Sequence, residues 1–571
     1  MESEREALRS FKSGLVDEHG ILSSWRSDEC CEWDGAECSN TTGHVITLQL
    51  SYLPLRGNLI NLRSLDLSYN QLNGSVPLSI GQLSELEDLD LSHNFLEGLV
   101  SESHFIKLDK LKTLDLSFNS FLHIAIDWSP PFQLSRVSLA GCNVGPYFPK
   151  WIRTQTNLSS LDLSDADITD EAPKWLWSMS TLEQVVIAGN QISGTIPNLS
   201  STSILYMDLC FNQFSGPIPL FPANASNILL IGNMFSGSIS SIFETRHDHL
   251  RVLVLSNNQL SGEVPNRWEK LPNLYSLNLA YNNFSGEIPS SFGNLLNVVA
   301  LHMHGNNLSS ELPYNLKLCQ ELRLIDVGGN KLTGEIPTWI GQMHNMQFLN
   351  LRGNKLHGSI PPEVCHLTNI QVLDLSINNL FSIIPDCFNN FTVLASKKTT
   401  NYLDPFLFAP TYPYSTIVNK HYGYSSFQWK GKESECEENL NLLKLIDFSS
   451  NRLIGNIPKS FSYMKGLKSL NLSRNSLTGY IIPDIGKLEM LDSLDLSHNQ
   501  FSGQIPTSLA EIYSLGFLDL SNNNLSGKIP TGTQLQSFKA STYAGKDGLC
   551  GDPLPKCPED ILKPSPIWGE T

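Results

Sequence analysis

The chain contains residue types that catalyse reactions, but they do not fall into a catalytic pattern. No G-x-S-x-G nucleophile motif, H-E-x-x-H zinc motif, phosphate-binding loop or kinase signature occurs in the sequence. His302 and His304, in the stretch VVALHMHGNN, are two residues apart and would share one face of a strand. No third metal ligand is apparent beside them, and a protein zinc site needs at least three. We therefore expect no enzymatic activity, no bound metal and no cofactor.

The cysteines form a more informative pattern. The stretch CCEWDGAEC places Cys31 and Cys38 near one end of the chain, and CGDPLPKC places Cys550 and Cys557 near the other. Short-loop pairs at the two ends are typical of disulfide-stapled caps, which persist in an oxidising compartment. N-x-S/T sequons, which mark possible glycosylation sites, agree with such a location. They begin at Asn40, Asn73, Asn157, Asn198, Asn224, Asn283, Asn307, Asn390, Asn471 and Asn524.

Charge and hydropathy exclude two classes of partner. The formal net charge of -17 argues against nucleic acid, because nucleic-acid binding needs a basic surface. No run approaches 18 apolar residues, so the sequence predicts no membrane span. The N-terminal stretch MESEREALRSFKSGL has no apolar signal region. Because the cysteines still indicate an oxidising compartment, we interpret the chain as a secreted ectodomain whose signal peptide is missing from this sequence.

The elements that position these residues are repeats of about 24 residues each. LRSLDLSYNQLNGSVPLSIGQLSE, LYSLNLAYNNFSGEIPSSFGNLLN and LKSLNLSRNSLTGYIIPDIGKLEM share the pattern L-x-x-L-x-L-x-x-N-x-L-x-G-x-I-P. In L-x-L the leucines point inward from a short parallel strand and the intervening residues face solvent. The recurring Asn is expected to form an internal ladder that bonds the backbone of neighbouring turns. The sequence therefore predicts an α/β solenoid of leucine-rich repeats with a parallel sheet on its concave face.

The Asn ladder divides the chain. It begins irregularly with Leu53 and then follows Asn70, Asn94, Asn119, Cys142, Ala166, Asn190, Asn212, Asn233, Asn258, Asn282, Asn306, Asn330, Asn354, Asn378, Asn451, Asn475, Asn499 and Asn523. The gap between Asn378 and Asn451 is about three repeats long. One repeat of this length belongs to the stack, and the rest, about two repeats long, is a looped-out insertion. The repeats after the insertion should therefore continue the stack in register. We predict an N-terminal cap over 1–44, about 15 repeats over 45–394, an insertion over 395–437, four repeats over 438–538, and a C-terminal cap and tail over 539–571.

The remaining cysteines are interpreted against the repeats. Cys365 and Cys387 are separated by close to one repeat, so they should lie on adjacent turns and can pair. Cys142 occupies a ladder position, where a buried thiol can replace Asn. The sequence gives no obvious partner for Cys210, Cys319 and Cys436.

The order of these segments resembles the plant leucine-rich-repeat receptor-like proteins of the disease-resistance type. The stretch SEREALRSFKSGLVDEHGILSSW with CCEWDGAEC is similar to the N-terminal cap of that family, and GLCGDPLPKCPED to its C-terminal cap. The G-x-I-P repeats and an insertion followed by four repeats match its solenoid, island domain and post-island block.

Two features depart from the family. In the family an upstream cysteine pairs with the first member of the Cys-Cys dipeptide; here Met1 stands near that place, which would leave Cys30 unpaired. The family also continues into an acidic segment, a membrane span and a short tail, whereas this sequence ends in ILKPSPIWGET, so it is a fragment or a soluble variant.

The resemblance implies ligand contacts in two places. The island contains nine aromatic residues in 43, over twice the chain's average of 9%, and aromatic side chains commonly anchor recognition surfaces. Its candidate contacts are Tyr412, Tyr414, Tyr422, Tyr424 and Trp429; the alternative is that the rings form a small core of their own. On the concave face the central position is usually acidic or amide and is interpreted as a solvated surface residue. In the few turns before the island, some residues of this face differ from the repeat consensus, and we take these as the candidate ligand contacts. They are His302, His304, Gln347 and Arg352.

In the resembling receptors the post-island block, with the C-terminal cap, docks co-receptor kinases of the somatic-embryogenesis type, and an adaptor kinase is a further implied partner. The corresponding face in this sequence consists of Asp447, Ser449, Asn471, Arg474, Asp495, His498 and Asp519. A plain repeat surface is the alternative interpretation.

The sequence thus predicts an extracellular recognition protein without a kinase. It would bind a microbial protein or a peptide of the apoplast and signal through partner kinases at the plasma membrane. The alternative is a secreted inhibitor of microbial wall-degrading enzymes, similar to polygalacturonase inhibitors, which have about half as many repeats and no island. The ligand, and an immune as opposed to a developmental role, are not encoded in any local motif.

Overall fold

The structure is a computed structural model that describes residues 24–25, 27, 30–33, 36–38, 45–49, 62–398, 425–429, 432–436, 443–545 and 548–558. These residues belong to two compact units, Met1–Leu250 and Arg251–Thr571. Each unit consists of leucine-rich-repeat turns, and in each turn one short strand joins a parallel sheet. The predicted leucine-rich-repeat solenoid with a parallel sheet is confirmed.

In the first unit the 3-10 helix Cys30–Glu32 precedes the strand Ala36–Cys38, which pairs antiparallel with Val45–Gln49. The parallel strands that follow are Ser64–Asp66, Asp88–Asp90, Thr113–Asp115, Arg136–Ser138, Ser160–Asp162, Gln184–Val186, Tyr206–Asp208 and Asn227–Leu229. Short strands on another side of the turns are Asn73–Ser75, Phe95–Val100, Phe121–Ile124, Ser193–Thr195, Gln213–Gly216 and Met234–Gly237. The 3-10 helices are Leu78–Gln82, Glu102–His104, Lys150–Thr154, Leu176–Ser178 and Ser240–Phe243.

In the second unit the parallel strands are Val252–Val254, Ser276–Asn278, Ala300–His302, Leu324–Asp326, Phe348–Asn350, Val372–Asp374, Leu445–Asp447, Ser469–Asn471, Ser493–Asp495 and Phe517–Asp519. The lateral strands are Gln259–Glu263, Asn283–Glu287, Asn307–Ser309, His357–Gly358, Asn379–Ile383, Arg452–Gly455, Ser476–Leu477, Ser502–Gly503, Asn524–Leu525, Gly527–Lys528 and Leu549–Cys550. Ser425–Trp429 and Lys432–Cys436 form an antiparallel hairpin.

The helices of the second unit are short. The α-helices are Thr392–Ala395 and Thr533–Ser537. The 3-10 helices are Trp268–Lys270, Ser290–Asn294, Tyr314–Leu318, Thr338–Gln342, Pro362–His366, Phe388–Asn390, Lys459–Tyr463, Ile485–Lys487, Thr507–Glu511 and Ala540–Tyr543. The proline of G-x-I-P directly precedes many of them, as Pro289 precedes Ser290–Asn294, because its fixed φ suits the entry to a helical turn.

The Asn ladder is present as predicted wherever it falls on described residues; its irregular first member, Leu53, lies outside them. Asn354 shows the pattern: its Nδ2 donates to the carbonyls of Val327 (3.1 Å), Leu351 (3.1 Å) and Arg352 (3.2 Å), and its Oδ1 accepts from the Leu332 amide (3.0 Å). One side chain therefore satisfies four backbone groups that the turn would otherwise bury unpaired.

The residue just before the ladder position adopts a left-handed conformation, for example Tyr69 (φ 53°), Ile377 (φ 52°) and Gly305 (φ 66°). Glycine carries no steric penalty there, whereas other residues carry a modest one. This bend ends the strand and turns the ladder side chain inward.

The repeats resume in register after the insertion, as predicted. The strand Val372–Asp374 pairs directly with Leu445–Asp447, and the Nδ2 of Asn451 donates to the Leu375 carbonyl at 3.0 Å. The predicted outer boundaries of the caps and of the insertion fall on residues outside the described ranges and stay predictions.

Candidate ligand-recognition site

The candidate site is the outer sheet face, defined here as the face of each parallel sheet that points away from the leucine core. Each turn places three side chains on this face, which we call the first, second and third outer positions. In one turn they are Ala300, His302 and His304, while Leu301 and Met303 point into the core. In the second unit, equivalent positions of successive turns are direct partners in the strand register.

The second outer position is an acid or amide in most turns, and its role is structural. Its side-chain oxygen accepts the backbone N–H two residues on: Asp66 from Ser68 at 2.9 Å, and Asp447 from Ser449 at 2.8 Å. Such a local bond satisfies an amide at the point where the strand ends. In the second unit Asp326, Asp374 and Asp447 are fully buried. The expectation of a solvated surface residue is therefore wrong for these three acids.

The first outer position of the second unit is apolar over consecutive turns. We call Val299, Ala300, Leu324, Phe348, Val372, Leu443 and Leu445 the outer apolar cluster; all are buried, and Tyr275 packs against them. In register, Ala300 lies beside Leu324, Leu324 beside Phe348, and Phe348 beside Val372. The sequence analysis did not find this cluster, although reading the first outer position turn by turn would have shown the apolar run.

The predicted ligand-contact residues differ in accessibility. His302 and His304 are 2% and 5% exposed, so the expectation that they face solvent is wrong. Gln347 and Arg352 are half-buried and lie on neighbouring parts of the same outer face. These two side chains are the accessible members of the predicted set.

The predicted aromatic contacts of the island fall largely beyond the described residues. Tyr412, Tyr414, Tyr422 and Tyr424 lie outside the described ranges. Trp429 is the last residue of the strand Ser425–Trp429, and its register partner is Lys432. Ligand contact by these residues stays a prediction.

His302 and His304 do have a third potential ligand beside them, contrary to the sequence-based expectation. Asp326 is the register partner of His302 on the next strand, and its Oδ2 lies 3.2 Å from the Nδ1 of His304. One ligand atom from each of the three residues lies within 4.8 Å of the others. Asp326 follows His302 by one full repeat, so the repeat spacing would have found it.

A second polar network lies two and three turns further on. Asp374 and Asp447 are register partners, and the Nδ2 of Asn471 donates to the Oδ2 of Asp447 at 3.0 Å. The Oδ1 of Asp374 accepts from the amide (2.9 Å) and hydroxyl (2.6 Å) of Ser376. Arg352 donates from Nη1 to the same hydroxyl at 2.9 Å.

Within the described part of the chain, the two buried carboxyl groups of this network face only one cation, Arg352, so ionisation of both is unfavourable. Burial raises the pKa of both Asp374 and Asp447, and repulsion between buried acids along the row adds to the rise, although Arg352 opposes it. The Oδ2 of Asp374 is buried, and among the described residues it has no hydrogen-bond partner. Desolvation favours the neutral acid when no cation neutralises the charge fully.

The predicted co-receptor face is divided by burial. Arg474 and His498 are exposed at the left-handed position of their turns, and Asp495 and Asp519 are half-buried. Asp447, Ser449 and Asn471, in contrast, are 0%, 2% and 6% exposed. Their burial contradicts their assignment to an accessible face: the side chains of Asp447 and Asn471 bond to each other, and the Ser449 amide donates to Asp447.

The predicted glycosylation sites are accessible with one exception among the described residues. The sequon asparagines on the surface are Asn73, Asn157, Asn198, Asn224, Asn283, Asn307, Asn390 and Asn524, and Asn40 lies outside the described residues. Asn471 is buried, and its Oδ1 accepts from Ser473 while its Nδ2 is bonded to Asp447. Since a glycan must attach to that nitrogen, the geometry contradicts a glycan at Asn471.

The predicted disulfides Cys31–Cys38, Cys365–Cys387 and Cys550–Cys557 are present. The thiol of Cys142 donates to the Leu116 carbonyl at 3.0 Å, which confirms that it replaces a ladder Asn. Burial raises the pKa of Cys142 to about 12, so the thiol stays protonated at physiological pH. Cys210 and Cys319 are buried, and Cys436 ends the strand Lys432–Cys436.

The start of the insertion is fixed to the repeats that follow it. The buried Lys444 donates from Nζ to the carbonyls of Val393 (2.8 Å), Ser396 (2.5 Å) and Lys398 (3.1 Å). Burial lowers the pKa of Lys444, and repulsion from Lys468 lowers it further. Gly466 donates its amide to the Leu394 carbonyl at 2.8 Å, and an added Cβ there would lie 2.0 Å from the Ser396 carbonyl oxygen. Only glycine allows this approach.

A lateral groove of about 870 Å³ lies away from the outer sheet face, beside the strands Gln259–Glu263 and Asn283–Glu287. Four glutamates line it at intervals of one turn, Glu263, Glu287, Glu311 and Glu335. The sequence carries its signal in the successive tetrapeptides GEVP, GEIP, SELP and GEIP. The groove is acidic and would favour a cationic contact.

Comparisons with known proteins bear on this architecture. The profile described as "Leucine rich repeat N-terminal domain" matches residues 1–39. Leucine-rich-repeat profiles match residues 60–121, 154–172, 248–295, 321–343, 345–367, 369–391, 442–464, 466–488, 490–512 and 514–534. The receptor-like protein EIX2 of Solanum lycopersicum is 51% identical over 463 residues, which are 80% of this chain and 45% of that protein. The chain belongs to the plant leucine-rich-repeat receptor-like proteins.

A second relative and a solved structure agree with this assignment. Receptor-like protein EIX1 of Solanum lycopersicum is 49% identical over 472 residues, 82% of this chain and 46% of its own length. The chain thus spans less than half the length of the curated relatives it matches. The crystal structure of the Arabidopsis receptor kinase HAESA with the peptide hormone IDA and the co-receptor SERK1 has a TM-score of 0.67 at 28% identity. That match covers 97% of this chain and 99% of HAESA's.

Among the residues that the structure describes, no helix is long and apolar enough to cross a membrane.

Proposed function

We propose that this chain is the ligand-recognition part of an immune-type receptor-like protein that acts outside the cell. It would bind a microbial protein or a peptide of the apoplast through the outer sheet face of the second unit together with the insertion. Signalling would pass to co-receptor kinases. The three disulfides are consistent with an oxidising, extracellular location.

The observation that carries the proposal is the way the insertion leaves the sheet. The strands Val372–Asp374 and Leu445–Asp447 are direct neighbours although the whole insertion separates them in the sequence. Lys444 and Gly466 hold the chain where the insertion begins, at a sheet whose outer face is unusually apolar. Binding elements of proteins are commonly irregular segments held by a rigid scaffold.

The ligand class follows from the shape of the support. A repeat sheet is an extended surface, and extended surfaces suit protein or peptide ligands better than small molecules, which need enclosed pockets. Gln347 directly precedes the strand Phe348–Asn350, Arg352 follows it, and both side chains are half-buried. The similarity to HAESA, whose structure contains a peptide hormone, supports a peptide as one candidate ligand.

The co-receptor would contact the repeats after the insertion. We retain Arg474, His498, Asp495 and Asp519 for this role because they are exposed or half-buried, and we withdraw the three buried residues. Binding to a kinase of the somatic-embryogenesis type is supported by the presence of SERK1 in the HAESA complex.

The test uses the purified chain immobilised on beads and exposed to apoplastic fluid from pathogen-challenged or mock-treated leaves. Mass spectrometry identifies what is retained. We expect the double substitution Gln347→Ala and Arg352→Ala to reduce retention of the specific ligand at least about tenfold, because each removes a polar contact on the outer sheet face. Lys355→Ala is the matched control, since Lys355 is exposed but lies off the outer sheet face.

A second arm adds a co-receptor kinase ectodomain of the somatic-embryogenesis type to ligand-loaded beads. The substitutions Arg474→Asn and His498→Asn should weaken co-receptor capture and leave ligand retention unchanged; asparagine tolerates the left-handed backbone of both positions. Equal retention by all variants would contradict the proposed surface. Potent inhibition of fungal polygalacturonases by the same preparation would instead favour the inhibitor alternative.

A further inference from the structure

We propose that His302, His304 and Asp326 form a binding site for one Zn²⁺ ion on the outer sheet face of the second unit. This site does not depend on the proposed receptor function. Two imidazoles and one carboxylate are a common ligand set for zinc, and three protein ligands leave a coordination position open. Imidazole ligands disfavour Ca²⁺ and Mg²⁺, which prefer oxygen.

The backbone brings the three residues together. His302 and His304 alternate with core residues on one turn, so both point outward, and Asp326 is the register partner of His302 on the next strand. The ligand atoms lie within 4.8 Å of one another. A tetrahedral ion with bonds near 2.1 Å would space its ligands about 3.4 Å apart. The Nδ1 of His304 and the Oδ2 of Asp326 already lie at 3.2 Å.

The carboxylate of Asp326 can serve two purposes at once. Its Oδ1 accepts the Gly328 amide at 3.2 Å, the local bond made at this position in other turns. Its Oδ2 lies 3.2 Å from the Nδ1 of His304 and is the oxygen that we assign to the ion. The backbone bond thereby fixes the orientation of the carboxylate, as hydrogen bonds to metal ligands usually do.

The three side chains are enclosed, unlike residues of an ordinary protein surface. His302, His304 and Asp326 are 2%, 5% and 0% exposed. The Nε2 of His304 is buried and finds no hydrogen-bond partner within the described residues, and the Tyr281 ring packs against this imidazole in a T-shaped arrangement at 4.4 Å between ring centroids. The contact with Tyr281 and the close approach of Asp326 to its Nδ1 hold this imidazole in one orientation, which prepares the Nδ1 for an ion.

Neighbouring turns show that the cluster is not a consequence of the repeat. The register partner of His302 on the preceding strand is Asn278, whose Oδ1 accepts the Ala280 amide at 3.0 Å. Asn350, on the strand after Asp326, accepts the Arg352 amide at 3.0 Å in the same way. His302 departs from this pattern and places a metal-binding nitrogen where the repeat usually places an amide or acid.

Zinc binding to the full chain tests the proposal. The purified protein is incubated with Zn²⁺, passed through a desalting column and analysed for zinc by mass spectrometry, and its affinity is measured by competition with a fluorescent chelator. We expect about one zinc per chain at a tetrahedral site. Asp326→Asn keeps the acceptor for Gly328 and should weaken zinc binding at least about tenfold, as should His304→Gln.

His344→Gln is the matched control, because His344 is exposed and lies outside the cluster. Circular dichroism establishes that each variant is folded, and Asp326→Asn and His304→Gln test the site independently of each other. Cobalt provides a second readout, because tetrahedral Co²⁺ absorbs visible light strongly. Absence of zinc from the wild-type chain, or equal affinity in all four proteins, would overturn the proposal.

Discussion

The outer sheet faces of the two units have the same backbone design but different side chains. In the first unit the first outer position is exposed or half-buried in most turns, as at Ser64, Asp88, Thr113, Arg136 and Ser160, and Tyr206 is a buried exception. In the second unit the same position is buried and apolar over the consecutive turns that carry Ala300, Leu324, Phe348, Val372 and Leu445. The Asn ladder and the acid-to-amide bond at the second position are found in both units.

The difference shows which parts of a repeat are free to vary. The ladder residue and the acid or amide at the second outer position satisfy backbone groups, so most turns keep them, although Ala166 and His302, among others, replace them in individual turns. The side chain at the first outer position makes no such bond, so its residue type can vary with the neighbours or ligand that it contacts. In the second unit apolar residues occupy this position, so the sheet carries the outer apolar cluster in addition to the leucine core. Such a cluster is unusual on the outer face of a sheet.

The largest expected effect comes from truncating the outer apolar cluster. Phe348→Ala should lower the free energy of unfolding by about 3 kcal/mol, because it removes a buried ring and leaves a cavity. Thr113→Ala, at the equivalent half-buried position of the first unit, should change it by no more than about 0.5 kcal/mol. Urea unfolding followed by circular dichroism measures both. Equal losses would break the contrast between the two faces.

A smaller effect is expected from the buried acids, and it depends on pH. Because the folded state raises the pKa of Asp374, it binds that proton more tightly than the unfolded chain does. The stability from Asp374 is therefore full below about pH 4 and is lost as the pH rises toward neutrality. Asp374→Asn should raise the free energy of unfolding at pH 7.5 and should give no gain at pH 4.

Asp90 is the matched acid of the first unit. Burial, with repulsion from Asp115, raises the pKa of Asp90 to about 6. The gain in stability from Asp90→Asn should therefore build up between about pH 4 and about pH 6 and stay constant above that range. Thermal melts of the parent and both variants across this range measure the two profiles. A gain from Asp374→Asn that does not change with pH would refute the charge explanation.

The smallest expected change concerns glycosylation. In chain secreted from plant cells, Asn471 should remain unmodified because its side chain is buried and bonded to Asp447, whereas the exposed Asn283 should carry a glycan. Mass spectrometry of the glycopeptides distinguishes the two. A glycan on Asn471 would mean that this part of the outer face is open in the secreted protein.

Much of the fold could be predicted from sequence because each repeat is a local unit. The ladder residue Asn354 and the disulfide between Cys365 and Cys387 both follow from spacing along the chain. Burial of the outer face could not be predicted in this way. Ser449 and Asn471 look like surface residues in the repeat pattern, and only the neighbouring strands show that they are enclosed.

The sequence by itself determined the turn, its ladder and its disulfides, since each depends on residues within one or two repeats. Tertiary structure decided what lies on the outer face. It buried Asp326 and His304, enclosed Asp374 and Asp447 in one row, and fixed the start of the insertion to Lys444. The reason is physical: periodicity specifies the direction of a side chain, whereas burial and electrostatics depend on the neighbours that it meets.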